Sequence, residues 1–295
     1  MQPELLAALA ALSWAVGSLF SAAASSQMGA FAFTRWRLFF ALTLLWALAL
    51  FTGQWRTLDS ANVALLALSG FIGIFIGDTA LFACMNRLGP RRSGVLFATH
   101  AIFSTLLAWL FLGETLWGWT LVGGGLLVSG VMVAIVWGRR ESETHAWENT
   151  RGSLMTGVLL GLLAAVCQSV ATLMIKPLMA SGVDAVAASA VRTSASFMAH
   201  LALLWAGAKV AQVQNPLSAK TLFNTWASAA VAMALGMTLI LKAMHLGQAG
   251  LVAVLSSVTP ILILPLLWLV YRRRPAMGAW WGAALAVWGT VLILR

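Results

Sequence analysis

Ten apolar runs, each about as long as a membrane-spanning helix, follow one another along this 295-residue chain. A helix needs about 20 apolar residues to cross roughly 30 Å of hydrocarbon. Short polar or Gly/Pro-containing breaks separate the runs, so consecutive helices must form hairpins. The runs cover approximately residues 5–24, 31–51, 62–86, 94–112, 117–137, 154–178, 185–206, 222–245, 250–270 and 276–294.

The composition matches a lipid-embedded protein and not a soluble one. Hydrophobic residues make up 61% of the chain and charged residues 9%, against roughly 45–50% and about 25% in soluble domains. The first run lacks a basic flank, so we expect a spanning helix there and not a cleaved leader. The two cysteines, Cys84 and Cys167, lie in apolar runs without partners at metal-binding spacing, which argues against a disulfide framework or a zinc site.

The two halves of the chain resemble each other. Residues 85–89 (Met-Asn-Arg-Leu-Gly) align with residues 244–247 (Met-His-Leu-Gly), and each is followed by an apolar run, a polar break and a Gly-rich run. Arg37 and Arg192 occupy comparable places in the second run of each half. Because five helices per repeat is an odd number, the second copy must enter the membrane from the opposite face. Inverted repeats of this kind are typical of secondary transporters, whose site lies near the midplane.

A polar stretch divides the halves and predicts the domain organisation. We expect a first repeat over residues 1–138, a linker over 139–152 and a second repeat over 153–295. The predicted fold class is an all-α polytopic membrane protein with about ten transmembrane helices in two inverted five-helix repeats.

Three motifs follow one another in the first half. Residues 89–94 (Gly-Pro-Arg-Arg-Ser-Gly) precede an apolar run, residues 112–116 (Leu-Gly-Glu-Thr-Leu) end it, and the next run is rich in glycine from Gly123 to Gly130. This order resembles the EamA-type transporters of the drug/metabolite transporter superfamily, over essentially the whole chain. The second half departs from the family pattern, since residues 271–274 (Tyr-Arg-Arg-Arg) stand where the family often has Gly-Glu. The resemblance implies two five-helix repeats and a transporter, whose relatives carry amino acids, sugars, nucleotide-linked sugars or drugs.

Charged side chains inside the apolar runs are candidate site residues, because hydrocarbon tolerates them only beside a cavity or a partner. Asp78 is the only acidic residue deep in a predicted span; it could take up a proton, bind a substrate amine or form a fixed ion pair. Arg35 and Arg37 point to nearly opposite sides of a helix. We favour Arg37 as the site residue because Arg192 occupies the corresponding place in the second half. Lys242 either lines a cavity or extends to the interface.

Three uncharged positions complete the predicted site. His100 corresponds in the repeat to the region of Thr259; it is either a neutral structural imidazole, a proton relay or a substrate ligand. Gln168 and Trp14 are comparable wall residues. The predicted substrate-binding set is Trp14, Arg37, Asp78, His100, Gln168, Arg192 and Lys242, with Asp78 as the proton-coupling candidate and with no catalytic or metal-binding residue.

The charges in the predicted spans favour one class of substrate. The predicted spans contain one acidic residue, Asp78, and up to five basic residues, which are Arg35, Arg37, Lys176, Arg192 and Lys242. A cavity lined by them favours anions or zwitterions over lipophilic cations. The sequence therefore predicts a secondary transporter that exports small polar metabolites, above all amino acids or related carboxylates, by alternating access. The alternatives are a flippase for lipid or lipid-linked headgroups and a drug efflux carrier.

The sequence does not indicate an enzyme. The four histidines are far apart and lack a carboxylate in the same span, and no Gly-rich segment is followed by a P-loop lysine. We expect no cofactor, no metal and no nucleic acid. The expected partners are a small-molecule substrate and the lipid bilayer, with protons as a candidate coupling ion.

The loop charges bear on orientation. Three basic residues, Arg56, Lys176 and Arg295, fall on the side of the termini, and eleven fall on the other side. The positive-inside rule places those eleven in the cytoplasm and the termini outside, whereas the resemblance implies cytoplasmic termini. In both orientations we expect an integral protein of a bacterial cytoplasmic membrane. The eleven are Arg87, Arg91, Arg92, Arg139, Arg140, Arg151, Lys209, Lys220, Arg272, Arg273 and Arg274.

Overall fold

A computed structural model describes residues 2–114, 118–137, 152–271 and 277–293. Over these residues the regular secondary structure is helical, without a strand. Ten helical segments occupy the positions of the ten apolar runs, with ends that differ by a few residues. The predicted all-α fold of about ten transmembrane helices is therefore confirmed.

The helices divide evenly between the two halves. The first half contributes α1 (Pro3–Met28), α2 (Ala30–Thr52), α3 (Ser60–Gly89), α4 (Arg92–Leu112) and α5 (Trp119–Val136). The second half contributes α6 (Leu154–Ala180), α7 (Ala185–Trp205), α8 (Ala219–Leu246), α9 (Ala249–Ser256 continued by Thr259–Tyr271) and α10 (Met277–Ile293). Except for Gly152, the predicted linker 139–152 lies outside the described residues.

Length and composition single out the helices that suit a bilayer. Among the described residues, six helices are long and apolar enough to cross a membrane, namely α1, α2, α3, α4, α6 and α8. Helices α5 and α9 contain shorter apolar stretches. Helix α7 carries buried polar side chains, Arg192 among them.

The packing of the helices is symmetric between the halves. Helix α1 packs on α8 and α9, and its counterpart α6 packs on α3 and α4. Helix α2 packs on α7, and α5 packs on α10. This set of pairs is unchanged when each helix is exchanged for its counterpart in the other half, as inverted repeats require. The interior between the halves is therefore walled by α1, α3, α4, α6, α8 and α9.

Two corresponding helices are locally widened. Helix α3 contains a π-helical segment over Phe71–Asp78, and α8 contains one over Ala229–Leu235. Such segments insert a residue into an α-helix and are frequent at functional sites. Asp78 closes the first segment, and Met233 lies in the second.

Two other corresponding helices are interrupted. Helix α4 has a turn at Thr99, directly before His100, and α9 has one at Ser257 and Val258, directly before Thr259. The predicted correspondence between His100 and the region of Thr259 therefore coincides with a break in both helices. Irregular helices in transporters are found where they face a cavity and not lipid.

Small residues set the distance between the halves at α3. A Cβ atom on Gly70 would lie 2.2 Å from the carbonyl oxygen of Arg192, and one on Gly73 would lie 2.6 Å from Cβ of Ala171. Gly77, one turn further, faces α6 in the same way. These three glycines thus allow close helix packing, and Gly70 fixes where the backbone of Arg192 lies.

Replacing Gly70 by alanine tests this contact. Because its Cβ would meet backbone atoms of α7, we expect Gly70→Ala to lower the free energy of unfolding by about 1–3 kcal/mol, measured as the melting temperature in detergent. Gly125→Ala in α5 is the matched control, since nothing lies within 4 Å of its added Cβ and alanine favours a helix. Equal melting temperatures for the two variants would contradict the close approach.

Candidate functional site

The structure sorts six of the seven predicted site residues into two neighbouring groups. One group lines a cavity between the halves, and the other is a buried cluster of charges. Lys242 is exposed near the end of α8 and belongs to neither group. The cavity group consists of Trp14, His100 and Gln168, and the charge cluster consists of Arg37, Asp78 and Arg192.

The cavity lies between α1, α4, α6, α8 and α9, is partly open to the outside and has a volume of about 10 Å³, roughly the space of one water molecule. Its wall is neutral over the described part of the chain, because the described residues that line it include no Asp, Glu, Lys or Arg. The polar part of the wall consists of an indole, an imidazole, an amide and three hydroxyl groups. These belong to Trp14, His100, Gln168, Ser104, Thr172 and Ser256.

Hydrogen bonds hold the wall in place from both halves. The indole Nε1 of Trp14 donates to the carbonyl oxygen of Ala232 at 3.1 Å, within the π-helical segment of α8. The hydroxyl of Thr172 donates to the carbonyl oxygen of Gln168 at 2.5 Å. Trp14 therefore ties α1 of the first half to the widened part of α8.

Some of the remaining polar groups of the wall already form hydrogen bonds within the protein, and others do not. Ser104 donates to the hydroxyl of Ser169 at 3.0 Å, and Ser169 reaches the carbonyl oxygen of His100 at 2.9 Å. The imidazole of His100 and the side-chain amide of Gln168 have no hydrogen-bond partner in the part of the chain that the structure describes. These two groups are available to a solute.

The neutral wall differs from the sequence expectation that basic residues line the cavity. The Arg35 guanidinium donates to the carbonyl oxygen of Ala211 at 2.6 Å. The Lys176 ammonium donates to the carbonyl oxygens of Met244, at 2.5 Å, and Gly247, at the end of α8. Both cations thus bind backbone carbonyls. The sequence could not show this, because the carbonyls belong to distant parts of the chain.

Arg37 is the better-satisfied cation of the charge cluster, although its Nε has no hydrogen-bond partner among the described residues. Its Nη2 donates to the carboxylate of Asp78 in a salt bridge and lies 3.5 Å from Sδ of Met233. Its guanidinium lies 4.7 Å from the ring centroid of Phe82, a distance at which cation–π attraction contributes. The pair is almost enclosed, with the two side chains 6% and 15% exposed.

Arg192 is the poorly satisfied cation. It is fully buried, and its Nη1 donates to Sδ of Met237 at 3.4 Å. Its Nε and Nη2 have no hydrogen-bond partner among the described residues. It interacts electrostatically with Asp78, which Arg37 already binds. Two guanidinium groups and one carboxylate leave the cluster with one net positive charge.

A carboxylate from the first half binds the start of α9 beside the cavity. The two oxygens of Glu114 accept hydrogen bonds from the backbone N–H groups of Ala249 at 3.0 Å and Gly250 at 3.1 Å. These are the first residues of α9, where the helix dipole favours a negative charge, and Ala249 lines the cavity. The Leu-Gly-Glu motif therefore joins α4 of one half to α9 of the other.

Sequence reasoning missed several wall residues that spacing could have found. Ser104 lies four residues after His100, and Thr172 lies four residues after Gln168. Side chains four apart share a helix face. Met233 and Met237, which contact Arg37 and Arg192, could not be found in this way. The sequence does not show that α8 packs against α2 and α7.

Comparisons with known proteins agree with this fold. The model of the EamA-like transporter family matches residues 1–136 and 155–295. Among solved structures, 29 chains match. One, described only as the crystal structure of a protein, is 17% identical, with a TM-score of 0.77 over 98% of this chain and 95% of that chain. At this identity the likeness shows the fold alone. No curated protein matches in sequence.

The charge cluster predicts an unequal cost for two asparagine substitutions. Asp78→Asn leaves two buried guanidinium groups without a counter-charge, so we expect a loss of about 3–5 kcal/mol of stability. Asp184→Asn is the matched control, because Asp184 caps the N-terminus of α7 and asparagine caps about as well.

The double variant Arg37→Met with Asp78→Asn removes one cation together with the acid. We expect its melting temperature in detergent to exceed that of Asp78→Asn alone. If the double variant melts below the single one, the salt bridge is not what stabilises this region.

Proposed function

The chain belongs to the EamA-like transporter family, and on that premise we propose that it carries amino acids or related zwitterions and carboxylates across the cytoplasmic membrane. As a member of that family it is an integral membrane transporter. The observation that carries the substrate proposal is the neutral cavity between the halves, with two uncommitted polar side chains, beside a cluster of net positive charge.

The side chains of the cavity wall suit a small polar solute, which the cavity would admit once the two halves move apart. The amide of Gln168 offers both donors and an acceptor, and the imidazole of His100 offers one of each when neutral. The ring of Trp14 supplies an aromatic surface against which an ammonium group gains cation–π attraction. The net charge of the cluster favours a carboxylate nearby, because charges attract strongly at low dielectric constant. A zwitterion satisfies both conditions.

We propose alternating access as the mechanism. Residues 1–138 and 153–295 would rock against each other around the cavity, joined by the linker 139–152. The contact between Glu114 and α9 supports a closed side, since separating the halves there must break two hydrogen bonds to a carboxylate. Export is the direction of transport that we propose.

Asp78 is the group that we propose for proton coupling. Protonation would remove its charge and weaken the salt bridge to Arg37. The released guanidinium lies on α2, and the acid ends the π-helical segment of α3, so the change would act on two helices of the first half at once.

A counterflow screen in liposomes tests the proposed substrates. We expect counterflow of amino acids and not of sugars, nucleotides or cationic drugs. Gln168→Leu should reduce it about tenfold or more, because hydrogen bonds to charged groups contribute about 1.5–3 kcal/mol. Thr43→Val is the control, since Thr43 is exposed on α2, away from the cavity.

Three outcomes would contradict the proposal. A preference for cationic drugs would indicate an efflux carrier. Movement of lipid-linked headgroups without movement of free metabolites would indicate a flippase. Equal rates of counterflow for Gln168→Leu and Thr43→Val would show that the transported solute does not pass through this cavity.

A further inference from the structure

We propose that Arg192 is the carboxylate-binding group of the transport site and that Met237 covers it while no substrate is bound. This rests on the proposed function, because it assigns one residue of the charge cluster to the substrate and gives a second residue the role of a removable cap. It also explains why a neutral cavity would select solutes with a carboxylate.

Arg192 has the surroundings of a binding group that lacks its anion. A guanidinium carries five N–H donors, yet the described contacts of Arg192 supply one thioether as acceptor, at 3.4 Å. Its Nε and Nη2 are buried without a partner over the described residues. Buried polar groups are nearly always hydrogen-bonded, and a carboxylate accepts two parallel N–H bonds from one guanidinium.

The cluster contains one positive charge more than it has negative charges, so one further anion would neutralise it. Asp78 is the acid of the cluster, and its carboxylate forms the salt bridge with Arg37. The second positive charge is therefore left on Arg192, with only the longer-range attraction of Asp78. A bound carboxylate brings the net charge of the group to zero, which lowers the electrostatic cost of keeping two guanidinium groups away from water.

Met237 contacts Arg192 and lies on α8 close to residues that line the cavity, although neither Met237 nor Arg192 lines the cavity itself. It shares a face of α8 with Ile240 and Met244, three and seven residues further on, and both of these line the cavity. Methionine has a flexible side chain that adopts several shapes at little cost. The π-helical segment Ala229–Leu235 ends two residues before Met237, so the backbone is also irregular at this place. A rotation of the Met237 side chain would connect the guanidinium with the cavity.

Gly73 of α3 lies next to Nη2 of Arg192. A Cβ atom on Gly73 would lie 3.3 Å from Nη2 of Arg192, closer than most Cβ contacts. The missing side chain keeps this nitrogen clear of α3. An amino acid bound in this way would place its carboxylate at Arg192 and its ammonium group in the cavity, where the Trp14 ring and the oxygen of Gln168 can receive it.

Matched pairs of L-amino acids and their carboxamides test the role of Arg192. In detergent, binding to the full chain is measured for L-phenylalanine, L-methionine and L-threonine and for each of their amides. We expect the acid to bind about tenfold or more tightly than its amide, as one charge-assisted pair contributes about 1.5–3 kcal/mol. In Arg192→Gln this preference should disappear while the amides bind as before.

Arg35→Gln is the matched control for the loss of a buried arginine. The Arg35 guanidinium donates to the carbonyl oxygen of Ala211, so this variant should keep the full preference for acids. Retention of the preference in Arg192→Gln would overturn the assignment of Arg192.

Met237→Leu tests the cap and does not depend on the folding of an arginine variant. Leucine is similar in size but cannot accept a hydrogen bond, so the competition for Arg192 is removed. We expect the acids to bind about threefold to tenfold more tightly, with amide binding unchanged. Met28→Leu is the control, because Met28 accepts a hydrogen bond from Thr225 at 3.6 Å outside the cavity wall.

The outcomes separate this inference from the proposed function. Weaker or unchanged binding of acids to Met237→Leu would overturn the cap. Binding of acids and amides with equal affinity to the unaltered chain would overturn the carboxylate site but leave an amino acid carrier. If neither amino acids nor amides bind or undergo counterflow, the proposed function itself is wrong.

Discussion

One buried positive charge without its own counter-charge is the feature on which the rest of the interior depends. Burying an ionised group among transmembrane helices is costly unless it is paired or faces a cavity. Arg37 meets this condition through Asp78, Met233 and Phe82, whereas Arg192 has one thioether contact and the distant attraction of a shared acid. The protein nevertheless packs α3 and α7 tightly at this point, through Gly70.

The excess charge follows from a broken symmetry. The two arginines occupy corresponding helices, α2 and α7, and the π-helical segments occupy corresponding helices, α3 and α8. The acid that ends the segment in α3 has no equivalent, because α8 contains no Asp or Glu. The repeat therefore supplies two cations and the divergence of the halves supplies one anion. A substrate carboxylate would take the place of the missing second acid.

The fold was largely predictable from the sequence, and the site only in part. The lengths of the apolar runs predicted the number of helices, and the internal repeat predicted that the chain consists of two corresponding halves. Both features can be read from spacing along the chain. Which charges face the cavity depends on how each helix is rotated. That rotation is set by contacts such as Gly70 against Arg192 and by the inserted residue of each π-helical segment. The sequence therefore placed Arg192 among the candidate site residues, but it could not show that Met237 contacts it or that Glu114 binds the start of α9.

A single cysteine in the cavity wall tests the central claim, that the cavity opens in turn to the two sides of the membrane. Ser256 lines the cavity, and Ser256→Cys can be placed in a chain whose own Cys84 and Cys167 are replaced by alanine. In sealed vesicles, we predict that a membrane-impermeant thiol reagent modifies this cysteine from either side and that a transported amino acid slows both reactions. Modification from one side only, unaffected by any amino acid, would contradict alternating access through this cavity.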